Sequence, residues 1–96
     1  MAELSYDELA DQALTQLEAS TDAQDRALLH RINSVLDQLA ADPGGAAVRK
    51  RRFQSGLWLI TIEGRIGEDD WALLWEPHVD RPEDVMVHYI GSASFA

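Results

Sequence analysis

Ninety-six residues, 46% of them hydrophobic and carrying a formal net charge of −9, predict a single domain over 1–96 with enough apolar material for a packed core. The absence of cysteine excludes disulfides and thiolate metal sites, and no apolar run approaches the length of a membrane-spanning helix. The acidic start MAELSYDELADQ lacks the basic and then apolar order of a signal peptide, so a cytoplasmic protein with no membrane association is expected.

The chain opens with a helix signal. Ser5 and Glu8 have the spacing of a capping box and Leu4 and Leu9 that of a hydrophobic staple, which predicts a first helix over 6–19 with Leu9, Ala13, Leu14 and Leu17 on one face. Thr21 with Gln24 offers a second capping box. Leu28, Ile32, Val35, Leu36 and Leu39 then repeat at helical spacing, until Asp42, Pro43, Gly44 and Gly45 end the helix. Residues 6–41 are thus an expected helical hairpin.

After the double glycine the pattern changes from helix to sheet, over 46–91. GLWLITIEG (56–64), WALLWE (71–76) and DVMVHYIG (84–91) are rich in β-branched and aromatic residues. The polar connections at 64–70 and 77–83 are too short for helical crossovers, so the strands should be antiparallel. Val48 to Phe53 is a candidate for an additional leading strand, in which alternation would place Arg49 and Arg51 on one face and Lys50 and Arg52 on the other. The expected fold is therefore α+β: an N-terminal helical hairpin packed on a three- to four-stranded antiparallel sheet.

Charge lies in blocks of −7 for 1–42, +4 for 43–62 and −6 for 63–96, and the middle block is the run Arg49, Lys50, Arg51, Arg52. Such a run could hold RNA phosphates, neutralise acids of the helices, or grip an acidic protein partner. The remaining surface opposes nucleic acid, because phosphate binding needs accumulated cations. Nine acids against two arginines through residue 42 also make the helices poor readers of the DNA major groove. None of His30, His78 and His88 lies at metal-ligand spacing from another, and no cofactor motif occurs, so neither metal nor cofactor is expected. His88 is the candidate for proton transfer: alternation sends it and Tyr89 to opposite faces of the last strand. Trp58, Trp71 and Trp75 are core or rim aromatics, and an outward-facing pair would form a stacking or partner surface.

The order of elements, with the words RRFQSGLWLITI and VMVHYIG, resembles the RelE/ParE toxin superfamily, nearest its HigB-like, phage-derived branch, over residues 25–92. Gly56, Leu57 and Trp58 match a GLW-type word that follows a basic segment, and Val85, Val87 and His88 match the final strand. The resemblance implies a RelE-like fold and a toxin paired with a cognate antitoxin, many members of the superfamily cutting mRNA on the ribosome. On the matching positions Arg51, Arg52 and His88 would be catalytic, with Arg49, Lys50, Trp58, Arg65, Trp71 and Tyr89 contacting RNA or a partner. The sequence departs from the pattern where Asp70 and Trp71 replace a Tyr-Arg pair and where Gly91 to Ser94 replace basic residues. The alternative implied by those departures is a non-catalytic protein-interaction module, which could also self-associate as a homodimer.

Overall fold

The computed structural model describes residues 1–49, 51–52 and 56–95, Phe95 by its backbone alone; Lys50 and Phe53 of the expected leading strand lie outside that set. In chain order the elements are β1 (Leu4–Tyr6), α1 (Glu8–Ala19), α2 (Ala23–Ala41), β2 (Arg51–Arg52), β3 (Trp58–Ile62), β4 (Trp71–Pro77), β5 (Val85–Ser92) and a closing 3₁₀ turn, Ala93–Phe95. The class is α+β, as expected from the sequence. The sheet is larger and mixed: five strands in the order β1-β5-β4-β3-β2, antiparallel except for β1, which runs parallel to β5.

The extra strand corrects the expected start of the chain. Leu4, Ser5 and Tyr6 pair with Val85, Met86 and Val87, so Ser5 belongs to a strand and Asp7 is the N-cap of α1. The staple does not form; Leu9 is 66% exposed, and Ala10, Ala13, Leu14 and Leu17 face inward instead. The N-terminus is further tied where Glu3 N–H donates to Asp84 Oδ1 and Ala2 N–H to the Ala40 carbonyl. The second helix begins one residue later than the Thr21 box: Asp22 accepts from the Gln24 and Asp25 amides.

One core lies between the helices and one face of the sheet. Leu28, Ile32, Leu36 and Leu39 of α2 meet Ile62, Leu73, Trp75, Val85, Val87 and Ile90, all buried. The opposite face carries a smaller buried group, Leu59, Ala72 and Leu74, with Leu57, Tyr89 and Ala93 at its margin.

Register fixes which residues share a row across the sheet. Arg52, Trp58, Trp75 and Val87 form a row whose Trp58, Trp75 and Val87 pack toward the helices, while Arg51, Leu59, Leu74 and Tyr89 form the next, with Leu59, Leu74 and Tyr89 on the open face. At β5 the register slips: Trp75 pairs with Val87 and Leu74 with Tyr89, leaving His88 as the extra residue of a β-bulge.

Candidate functional site

The cationic run is positioned by the strand it precedes. β2 pairs antiparallel with β3, Arg51 opposite Leu59 and Arg52 opposite Trp58, so the two arginines leave the sheet on opposite sides. Arg49 does not join Arg51 as strict alternation would have it. Its guanidinium lies 5.4 Å from the Trp58 ring centre and 5.3 Å from that of Trp75, and its Nε–H donates to the Pro43 carbonyl at 2.7 Å. Arg52 covers Trp58 more closely, at 4.5 Å. Each such cation–π contact contributes about 0.5–2 kcal/mol depending on how far it is desolvated. Among the described residues Arg49 and Arg52 form no ion pair with a carboxylate, and neither does Arg51, which stands exposed beside a groove of about 240 Å³ shared with Ala47, Leu59, Ile60 and Thr61.

The tryptophans do not form an outward-facing pair. All three pack against the helix-side core, with Trp58 and Trp75 stacked at 6.5 Å. Trp75 Nε1–H donates to the Val48 carbonyl, whereas Trp58 Nε1–H is sealed from water and meets no acceptor among the described residues. A buried donor left unmatched costs about 1–3 kcal/mol.

His88 sits elsewhere. Its ring meets Glu76, which alternation from the inward Trp75 puts on the open face with Tyr89, so the bulge corrects the expectation that His88 and Tyr89 would point to opposite sides. Its Nδ1 lies 2.5 Å from Asp7 Oδ2 and its Nε2 2.6 Å from Glu76 Oε2. An ionised carboxylate only accepts, so both contacts are hydrogen bonds when each ring nitrogen presents an N–H. Asp7 consequently caps α1 by backbone alone, its side chain being held by His88. Asp7 and Glu76 were not legible as partners of His88; the sole charge within WALLWEP was the available sign for Glu76.

No family model, curated protein or solved structure matches this chain.

The chemistry of the site therefore rests on its own geometry, and that geometry disperses the residues expected to act together. His88 on β5 is three strand spacings from Arg51 and Arg52 on β2, roughly 14 Å. A phosphate held by either arginine is thus out of reach of the imidazole. Arg65 is engaged within the fold: it pairs with Asp25 at 2.5 Å, reaches Glu68, and lies 5.5 Å from the Trp71 ring centre, so Trp71 is covered as well. Tyr89 lies back along its own strand, its hydroxyl donating to the Ser92 carbonyl at 2.9 Å. Among the described residues no three His, Asp or Glu side chains gather in a way that could hold a metal ion, and no helix is long and apolar enough to cross a membrane.

Proposed function

We propose that the chain is the toxin-like member of a toxin-antitoxin pair, working in the cytoplasm as a protein-interaction module on a RelE-like plan rather than as a ribonuclease. The observation that carries this reading is the dispersal of Arg51, Arg52 and His88: two cations on opposite sides of an edge strand and an imidazole roughly 14 Å away, between two carboxylates. General acid–base cleavage of a phosphodiester needs a proton-transfer group within hydrogen-bond reach of the reacting oxygen and cations on the same phosphate. The −9 net charge also opposes approach to ribosomal RNA. A helical hairpin followed by an Arg-rich edge, the GLW strand and a last strand reaching His88 supports the link to the RelE-like group.

A ribosome-dependent mRNA endoribonuclease is the second reading, favoured by one observation: the row that begins at Arg51 ends at Tyr89, next to His88, on the open face. Coexpression with the product of the adjacent reading frame separates the two. The interaction reading expects a complex of fixed stoichiometry by size exclusion with light scattering, and normal growth when the chain is expressed alone. Elution solely as a homodimer would remove the antitoxin and keep the module. Cosedimentation with ribosomes together with growth arrest would overturn the proposal.

A further inference from the structure

At the β2 end of the sheet two guanidinium groups share one indole: Arg49 at 5.4 Å and Arg52 at 4.5 Å from the centre of Trp58. No described carboxylate is paired with either cation. The Trp58 indole N–H, at the edge of that ring, is buried and without an acceptor among the described residues. Two cations and one buried donor thus share a single indole, and among the described residues none of the three meets a carboxylate. Of the other described arginines, Arg65 has Asp25, Arg81 has Asp84 and Arg31 has the carbonyls of Glu63 and Gly64, while Arg26 and Arg51 stand in no ion pair but touch no indole.

We infer that Arg49, Arg52 and the Trp58 indole N–H form a notch for one carboxylate side chain of a protein partner, an inference that rests on the interaction reading above. Arg49 is fixed by its bond to the Pro43 carbonyl, so it provides a preorganised wall. Arg52 is exposed on a two-residue edge strand and is free to lift from the ring with the incoming carboxylate, which admits one oxygen to the indole N–H while the guanidinium fork holds the other. The completed contact neutralises the cation pair and satisfies the donor. The charge of the molecule selects the kind of ligand. A nucleic acid brings a continuous row of phosphates past a surface bearing seventeen acidic residues against eight basic ones, whereas a single Asp or Glu in an otherwise neutral segment brings one.

The test is titration of the ¹⁵N-labelled full chain with a short end-capped peptide holding one glutamate among serines and valines, following the three indole N–H resonances, with a short oligouridylate in a parallel series. The Trp58 indole should shift saturably while that of Trp71 stays in place. Trp58→Phe keeps the ring and removes the donor, and should weaken peptide binding about tenfold or more, as expected for losing one donor to a charged acceptor. Arg52→Ala should weaken it similarly, whereas Arg26→Ala, an equal change of charge on α2, should not. An unmoved Trp71 indole in each variant reports that the fold is intact. Peptide binding that leaves the Trp58 indole unmoved overturns the notch but not the interaction reading. Absence of binding, or equal affinity in Trp58→Phe, also overturns it. Tighter binding of oligouridylate at the same indole overturns the assignment of a carboxylate. Growth arrest with mRNA cleavage by the chain alone would instead overturn the interaction reading, and the titration would still decide whether the notch exists.

Discussion

A Cβ at Gly64 would collide with the Asp69 carbonyl oxygen, a backbone atom that cannot turn aside, whereas a Cβ at Gly44 meets nothing nearer than 3.9 Å. Gly64→Ala should therefore lower unfolding free energy by about 2–3 kcal/mol in a urea titration, and Gly44→Ala should stay within about 0.5 kcal/mol of the parent. Gly91 is intermediate. Its added methyl would stand 2.6 Å from the Tyr89 hydroxyl, and that ring can swing away at the cost of its bond to Ser92. His88 belongs to the same scale. Half-exposed carboxylates on both sides give its contacts the modest value of solvent-screened surface hydrogen bonds, so His88→Ala should cost about 1 kcal/mol, read as a small shift in the urea midpoint. The cationic run was visible in the sequence as four adjacent charges; that two of them lie on an indole could not be read there, because it depends on the pairing of Arg52 with Trp58.

At the scale of elements, two acidic side chains join segments distant in sequence. Asp25 ties the α1–α2 junction to the β3–β4 loop, and the Ser20 hydroxyl and the Arg65 guanidinium hold its carboxyl below the usual range. Asp84 ties β1 to the start of β5, and the Glu3 amide followed by Arg81 does the same there. A carboxylate whose folded pKa is depressed adds stability that is fully present above its unfolded value, about 3.9, and is lost as pH falls through the folded one. Thermal midpoints should accordingly fall below about pH 4, and Asp25→Asn or Asp84→Asn should flatten that acid limb while lowering the neutral plateau. Both helices were legible because their apolar spacing is local. β1 was not: three residues pair with a strand some eighty positions away, and SYDE carries the same spacing as a capping box. The bulge at His88 was equally hidden, since period-two alternation has no sign for the one residue that breaks it.

For the whole molecule, charge outweighs any single pair. With seventeen acids against eight bases, self-repulsion opposes the folded state, so added salt at neutral pH should raise the thermal midpoint even though it screens the Asp25–Arg65 pair. The candidate site was legible as a list of residue types but not as a constellation. Arg51, Arg52, Trp58 and His88 stand in or beside neighbouring rows, yet the sheet inserts two strands between the arginines and the imidazole. That separation is the basis for assigning partner binding in place of RNA cleavage. Its most direct test is primer extension across a translated mRNA in cells expressing the folded chain alone. The account predicts full-length products indistinguishable from those of an empty-vector control, and new 5′ ends that vanish in Arg51→Ala or His88→Ala would contradict it.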